Sequence, residues 1–165
     1  MKMDLPEILF LQEKPVKILL LLKEEKQPIY VSMIARGIDS TYAHTLRVLY
    51  NLEKCGIVSC EKKGRVKQVK LNELGMKAAE ALTNFIDMVR ISGVNAKIEE
   101  LHRKKIEGRE QDKIDEAAVS KRLALYKREV ERLLKKNPAL KECAEPLLDK
   151  INKILEQLAK TSPSL

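Results

Sequence analysis

Apolar residues near the start of the chain recur first with helical and then with extended spacing. A helix that begins at Pro15 and carries the apolar run Ile18–Leu22 is predicted first, because proline suits the first turn of a helix. Beyond the Gln27-Pro28 break, the β-prone residues 29–31 predict a short edge strand. Residues 32–36 then predict a short helix that ends at the following glycine.

The next amphipathic stretch predicts a helix over residues 41–54, followed by Gly56 as its stop signal. Asp39 or Ser40 is expected to cap its N-terminus, because short oxygen-bearing side chains accept hydrogen bonds from the unpaired amides there. The side chains expected to face the core are Leu46, Leu49 and Leu52, helped by Tyr42 or Ala43.

A β-hairpin is predicted after this helix, with strands over residues 57–61 and 66–71 and a polar, glycine-containing turn over 62–65. Asn72 is expected to cap a further helix over residues 73–91. The apolar positions that follow helical spacing in this last helix are Leu74, Ala78, Ala81 or Leu82, and Phe85.

The second half of the chain begins at a composition break, Ser92-Gly93, and is predicted to be helical. Residues 101–111 are polar enough to form a linker. Two helices are predicted over residues 114–136 and 139–160, separated by Asn137-Pro138.

Both of these C-terminal helices carry apolar residues at heptad-like spacing, which favours an antiparallel helix pair. Pro146 is expected to kink the second helix or to mark its start. Seams of this kind pack either against a second copy of the chain or against each other within one chain, and dimerisation is the favoured interpretation. The residues assigned to the dimer contact are Val119, Leu123, Tyr126, Val130, Leu133, Leu147, Ile151, Ile154 and Leu158.

The amino-acid composition shows that the chain is basic. The chain has 32 Lys and Arg against 24 Asp and Glu, a formal net charge of +8, so a polyanionic partner is favoured. The excess is shared equally, because residues 1–92 carry 15 basic and 11 acidic side chains and residues 93–165 carry 17 and 13. Charge alone therefore does not distinguish a nucleic-acid-binding protein from a lysine-rich soluble one.

Several function classes are disfavoured by the residues present. Three scattered cysteines and two histidines do not form a zinc-ligand pattern, and no glycine-rich phosphate loop occurs, so we expect neither an enzyme nor a bound cofactor. An odd number of scattered cysteines is typical of a reducing compartment. The run Ile18–Leu22 is too short for a membrane span or a signal-peptide core. The expected location is the cytoplasm, in association with the nucleoid.

The predicted elements follow the order found in a winged helix-turn-helix: a helix, a glycine turn, a longer helix and a hairpin with a basic tip. The stretch 34–45, with Thr41-Tyr42-Ala43-His44 at the opening of the longer helix, resembles archaeal winged-helix regulators related to the MarR group. Residues 52–58 are similar to that family's Leu-Glu-Lys-x-Gly-Leu-Val exit into the wing, and residues 71–75 to its Leu-Thr-Glu-x-Gly. Gly64-Arg65 would form the wing tip. The resemblance covers about residues 16–91, and PadR-like regulators are a second choice.

The fold class expected from these patterns is mainly α with a small β-hairpin wing. A winged helix-turn-helix domain would occupy residues 1–92, and a helical, coiled-coil-like region would occupy residues 93–165. The resemblance implies a sequence-specific double-stranded DNA-binding protein that regulates transcription. Dimerisation through the C-terminal helices would set two reading helices about one DNA turn (~34–36 Å) apart. The residues expected to contact DNA are Ser40, Thr41, His44, Thr45, Arg47, Val48, Lys62, Lys63, Arg65 and Lys67.

Two other functions stay open at this point. One is a winged-helix module for protein–protein contact in a transcription or replication assembly, which an apolar or acidic reading face would favour. The other is redox sensing through Cys55 or Cys60, which lie near the hairpin. A small-molecule effector has no support, because no convergent polar cluster marks a pocket.

Overall fold

A computed structural model describes residues 4–10, 12–25, 27–64, 66–105 and 115–161. The protein is mainly helical with a small three-stranded antiparallel sheet, as the sequence predicts at this level. It divides into an N-terminal unit, Met1–Thr83, and a C-terminal unit, Asn84–Leu165. Its elements are α1 (Leu5–Phe10), α2 (Glu13–Glu24), β1 (Ile29–Tyr30), α3 (Val31–Gly37), α4 (Tyr42–Lys54), β2 (Val58–Lys63), β3 (Val66–Leu71), α5 (Glu73–Lys105), α6 (Glu116–Lys136), a 3₁₀ turn (Pro138–Leu140) and α7 (Lys141–Thr161).

The sheet of the N-terminal unit has the strand order β1-β3-β2. Ile29 pairs with Val69, and the β2–β3 register runs from Val58 opposite Leu71 to the last pair, Lys63 opposite Val66. Apolar side chains from helices α1 to α5 form one core with this sheet, because each helix turns an apolar side toward it. The fully buried members of this core include Ile18, Leu19, Val31, Ile34, Leu49, Leu52 and Val69.

Two details at the start of the chain differ from the sequence prediction. Helix α1 precedes the first predicted helix, and α2 begins at Glu13 rather than at Pro15. Pro15 is buried in the first turn of α2. This position is compatible with proline because the amides of a helix's first turn have no partner within the helix.

Helix α5 is continuous through Ser92-Gly93, where the sequence analysis placed a domain boundary. Gly93 is exposed, and a Cβ there would meet nothing within 4 Å, so its cost is the ordinary helix propensity of glycine, about 1 kcal/mol. Buried Ile91 and Val94 flank it and outweigh that cost through packing. The first part of α5 belongs to the N-terminal unit and the rest to the C-terminal unit.

The predicted inward stripe of α5 is wrong at two of its positions, although Ala78 packs partly buried against the core as predicted. Leu74 and Phe85 are exposed, whereas Gly75 and Ala79 are the buried positions of the first turns. Asn72 caps the helix as expected, since its side-chain oxygen accepts the amide of Gly75 at 2.8 Å. The helix docks through its smallest residues because its backbone approaches that of Ile57.

The C-terminal unit has its own core, to which α5, α6 and α7 each contribute a stripe. Fully buried Ile98 on α5, Leu123 on α6 and Ile151 on α7 lie in it. The residues that the sequence analysis assigned to a dimer contact form much of this core within one chain. Those buried are Val119, Leu123, Val130, Leu133, Leu147, Ile151, Ile154 and Leu158, and Tyr126 packs against them partly buried.

The dimer assignment of these nine residues is therefore corrected. The α6 and α7 seams contact each other and the later part of α5, which the sequence analysis had not recognised as their partner. Pro146 lies inside α7, one turn beyond its start. Residues 101–105, the first part of the predicted linker, are helical because α5 extends to Lys105. Residues 106–114 lie outside the described part of the chain.

Asn137, which the sequence analysis treated as a break, also joins elements of the C-terminal unit. Its side-chain amide donates to Asn84 Oδ1 at 2.7 Å. Beside it, the buried carboxylate of Asp87 accepts a hydrogen bond from Arg90 at 2.8 Å. A buried carboxylate needs such partners because burial without them is costly. Within the described residues, no helix has the length and apolar character needed to cross a membrane.

Candidate nucleic-acid interface

The turn between α3 and α4 sets the direction in which α4 leaves the core. Ile38 is buried, and Asp39 adopts a left-handed conformation with φ 52°. The amide of Ser40 donates to the carbonyl of Ala35 at 2.9 Å. Lys14 on α2 donates to the carbonyls of Ile38 and Asp39 at 2.9 and 2.8 Å. These contacts fix a four-residue turn with little freedom.

Thr41, and neither Asp39 nor Ser40, caps α4. Its hydroxyl oxygen accepts the amide of His44 at 3.2 Å. Asp39 is excluded from this role because the turn takes it into the left-handed region, two residues before the cap.

Replacing Thr41 with alanine is expected to lower the free energy of unfolding by about 1 kcal/mol, because the amide of His44 loses its acceptor. Urea denaturation followed by circular dichroism measures this loss. Thr41→Ser retains the hydroxyl and should stay within ~0.5 kcal/mol of the wild type. Equal losses in both variants would contradict the cap.

The buried face of α4 is rotated about the helix axis relative to the predicted one. Thr45 is 0% exposed and donates its hydroxyl to the carbonyl of Thr41 at 2.9 Å, and Val48 is buried too. Neither side chain can reach DNA, so both assignments are wrong. The inward stripe runs 45, 48, 49, 52, and Leu46 is only half-buried at its margin. The sequence predicts a surface position here because nothing local indicates that the threonine hydroxyl is satisfied by its own helix.

The exposed face of α4 consists of polar, aromatic and cationic side chains. Tyr42 is 51% exposed, although it was expected to pack against the core. Tyr50 is exposed as well, with the ammonium of Lys54 4.5 Å from its ring centroid. The side chains on this face are Tyr42, Ala43, His44, Arg47, Tyr50 and Lys54. Sequence reasoning missed Tyr50, although the i, i+3, i+7 spacing from Arg47 marks that face.

Glu53 of α4 holds the base of the β2–β3 hairpin. One oxygen of its carboxylate accepts the amide of Cys60 at 3.2 Å, and the other lies 3.6 Å from Lys67 Nζ. Lys70 pairs with Glu61 at 3.3 Å. The hairpin is therefore tied to the helix whose outer face is exposed, and the charge of Lys67 is partly compensated within the fold.

The far end of the hairpin carries the remaining cations. Lys62 and Lys63 are exposed, and no ion pair joins either to an acidic side chain of the described residues. Gly64 has φ 63°, a conformation that favours glycine, and it begins the two-residue connection between the strands. Arg65, which was assigned to the tip, lies outside the described residues.

The structure thus leaves most of the assigned site exposed on α4 and on the hairpin, and it buries two of its members. Thr41, His44 and Arg47 are exposed on one helix, and Ser40 is half-buried before it. Lys62 and Lys63 are exposed on the hairpin, and Lys67 faces Glu53. In the part of the chain that the structure describes, no group of three or more His, Cys, Asp or Glu side chains is suited to hold a metal ion.

The cysteines near the hairpin are half-buried thiols. Burial raises the pKa of Cys60, an effect that neighbouring Lys67 opposes and Glu53 reinforces. Because the thiolate is the reactive form, a raised pKa lowers the reactivity of Cys60 near neutral pH. This environment is unlike the electropositive, exposed surroundings typical of redox-sensing cysteines.

No protein-family model matches the chain. An uncharacterized protein of Archaeoglobus fulgidus is 27% identical over 84 residues, which cover 49% of this chain and 88% of that protein. The crystal structure of AF1382 from Archaeoglobus fulgidus is similar with a TM-score of 0.46 and 27% identity, over 47% of this chain and 89% of that one. Neither description states an activity, so the function is argued from the site.

Proposed function

We propose that this chain is a sequence-specific double-stranded DNA-binding protein of the winged helix-turn-helix class, a transcriptional regulator that acts as a homodimer and resembles the archaeal MarR-related regulators. One observation carries the proposal: the exposed face of α4, with His44 and Arg47, lies on the helix to which Glu53 ties a hairpin bearing exposed Lys62 and Lys63. A cationic helix face beside a cationic hairpin fits a groove flanked by phosphates.

The dimensions of α4 suit the major groove. An α-helix with its side chains is about 10–12 Å across, and the groove is about 12 Å wide. Arg47 is the side chain best suited to read a base, because guanidinium groups bind guanine through two hydrogen bonds. His44 and Tyr42, one turn earlier, supply groups that hydrogen-bond to bases or phosphates. Arg47, His44 and Tyr42 are therefore the side chains proposed to contact bases, in place of the buried Thr45 and Val48.

The hairpin supplies contacts that do not depend on sequence. Lys62 and Lys63 would each neutralise a phosphate. Lys67 contributes less, because its ammonium already lies near Glu53. We therefore expect the hairpin to strengthen binding to every duplex and α4 to select among duplexes.

A second function is supported by a different observation. Tyr42, Tyr50 and Met33 of the N-terminal unit are all about half exposed, and exposed aromatic side chains are enriched at protein interfaces. A protein–protein module in a transcription or replication assembly would use these side chains and would not need Lys62 or Lys63.

Fluorescence anisotropy with labelled duplexes tests the proposal. Replacing both Lys62 and Lys63 with alanine should weaken binding to all duplexes and lower the slope of log K against log salt by about 2, because about two phosphate contacts are lost. Arg47→Ala should instead change the sequence preference recovered by selection from a random duplex pool.

A charge-matched control separates local contact from net charge. Lys121 and Lys135 are exposed on α6, and their double replacement by alanine removes the same charge from the C-terminal unit. That variant should retain the wild-type salt slope. Absence of binding to any duplex at ~50 mM salt, or equal slopes for the hairpin and control variants, would reject the DNA interface.

A further inference from the structure

The turn between α3 and α4 holds a conformation that its own residues do not favour. Asp39 has φ 52°, and no other non-glycine residue in the described part of the chain has a positive φ. The left-handed conformation is costly for such a residue because its Cβ lies too close to a carbonyl oxygen, so it persists only where surrounding contacts hold it. Helix α4 begins three residues later. The contacts that hold Asp39 therefore set the direction in which α4 leaves the turn.

Helix α3 supplies partners for the amides of this turn. The amide of Ile38 donates to the carbonyl of Ile34 at 3.0 Å. The amide of Ser40 donates to the carbonyl of Ala35 at 2.9 Å. Each residue of the turn also carries a backbone acceptor, which needs a partner on another element or in water. The bonds from α3 thus hold only the donor side of the turn.

Lys14 on α2 is the partner of two of those acceptors. Its ammonium donates to the carbonyls of Ile38 and Asp39 at 2.9 and 2.8 Å, and its side chain is half-buried. Hydrogen bonds from a charged donor are roughly twice as strong as neutral ones. The two carbonyls lie on either side of the φ and ψ bonds of Asp39, so a change in these angles would move one carbonyl away from the ammonium. Both bonds therefore depend on the left-handed conformation.

Helix α2 is itself fixed in the core of the N-terminal unit. Ile18 and Leu19, about one turn after Lys14, are fully buried. At the end of α3, a Cβ added to Gly37 would lie 2.9 Å from Leu21 Cδ1, so the two helices are in close contact beside the turn. The ammonium of Lys14 is thus carried on an element whose position the core sets.

We propose that Lys14 is a positioning residue for the DNA interface. Its ammonium holds Asp39 in the left-handed conformation and thereby keeps the exposed face of α4, with Arg47, in the orientation that a duplex requires, without contacting the duplex itself. A surface held in its binding orientation binds more tightly, because it has less freedom to lose on binding. This role rests on the proposed function, but the hold of Lys14 on the turn is measurable without DNA.

Fluorescence anisotropy with a labelled duplex recovered by selection tests the role of Lys14. Lys14→Met removes the ammonium and keeps an unbranched side chain. It should lower the affinity about 10-fold, because α4 would be in the binding orientation for only about a tenth of the time. The slope of log K against log salt should stay at the wild-type value, since no phosphate contact is lost. A direct contact of Lys14 with a phosphate would instead lower the slope by about 1 and would overturn the proposal.

Lys17→Met is the matched control. Lys17 lies one turn further along α2, and its ammonium pairs with Glu13 rather than with the turn. Its replacement removes the same charge from the same helix and should weaken binding by no more than about 2-fold, because salt screens exposed charges that do not contact the duplex. An equal loss in the Lys14 and Lys17 variants would show an effect of net charge and would overturn the proposal.

Asp39→Gly supplies a rescue that only a positioning role predicts. Glycine adopts the left-handed conformation at no steric cost, so the turn would no longer depend on Lys14. In the Asp39→Gly background, Lys14→Met should therefore lower the affinity by less than about 3-fold instead of about 10-fold. Comparing the two Lys14 forms within each background cancels the effect of removing the Asp39 carboxylate. A loss of the same size in both backgrounds would contradict the hold on the turn.

Amide hydrogen exchange examines the turn without DNA. In Lys14→Met the amide of Ser40 should exchange at least about 10-fold faster than in the wild type, and that of core residue Leu49 by less than about 3-fold. Asp39→Gly should restore slow exchange at Ser40. Unchanged exchange at Ser40, or an equal increase at Leu49, overturns the proposal whether or not the chain binds DNA. Faster exchange confined to the turn supports the hold of Lys14 even if the DNA interface is rejected.

Discussion

Replacing Leu123 with alanine is expected to lower the free energy of unfolding of the C-terminal unit by about 2–5 kcal/mol. Leu123 is 1% exposed and lies in the core formed by α5, α6 and α7. The loss combines the transfer free energy of the missing methyl groups with the cavity left behind, which surrounding helices fill only in part. Chemical denaturation followed by circular dichroism measures it.

The control for this variant is Leu125→Ala on the same helix. Leu125 is 55% exposed, so its truncation should change stability by no more than ~0.5 kcal/mol. The loss at Leu123 should also be equal at about 1 and about 100 µM protein, because its contacts lie within one chain. A loss that appears only at the higher concentration would instead restore Leu123 to a dimer contact.

Replacing Gly75 with alanine is expected to destabilise the N-terminal unit by roughly 2 kcal/mol or more, even though alanine is the better helix former. A Cβ at this position would lie 2.0 Å from the carbonyl oxygen of Ile57 and 3.2 Å from Leu71 Cδ2. The first of these contacts involves backbone, so α5 itself would have to move. Movement would also disturb the Asn72 cap, whose oxygen accepts the amide of Gly75 at 2.8 Å.

Gly93→Ala is the matched control, because it makes the same change in the same helix where nothing lies within 4 Å of the new Cβ. It should stabilise the protein by about 0.5–1 kcal/mol. Thermal unfolding of the two variants should therefore shift in opposite directions. Stabilisation by Gly75→Ala would show that α5 does not approach Ile57 as closely as described.

Much of the N-terminal unit follows from local pattern. Three local signals each specify an element within a few residues: the apolar run Ile18–Leu22, the glycine that ends α3, and the two alternating strands. Those elements are confirmed. The prediction fails where packing outweighs a local signal. Ser92-Gly93 predicts a break, yet a single exposed glycine costs about 1 kcal/mol and the packing of buried neighbours outweighs that cost.

The candidate site was predictable in position but less so in detail. The order of helices and hairpin identified α4 and the lysines of β2, and His44, Arg47, Lys62 and Lys63 are exposed there. The face of α4 was misjudged because Thr45 is polar yet buried, with its hydroxyl satisfied by Thr41. The sequence also does not predict that the charge of Lys67 is partly compensated, because its partner Glu53 lies on a different element.

The sequence by itself determined the elements, their order and the basic character of the hairpin, because periodicity, caps and turn residues act over a few neighbouring positions. The tertiary structure alone decided which side of each helix is buried. Heptad spacing on α6 and α7 looks the same whether the partner is a second chain or the chain's own α5, since apolar surface is buried without regard to its source. Once α5 covers those seams, the apolar stripe left exposed is the one on α5 itself.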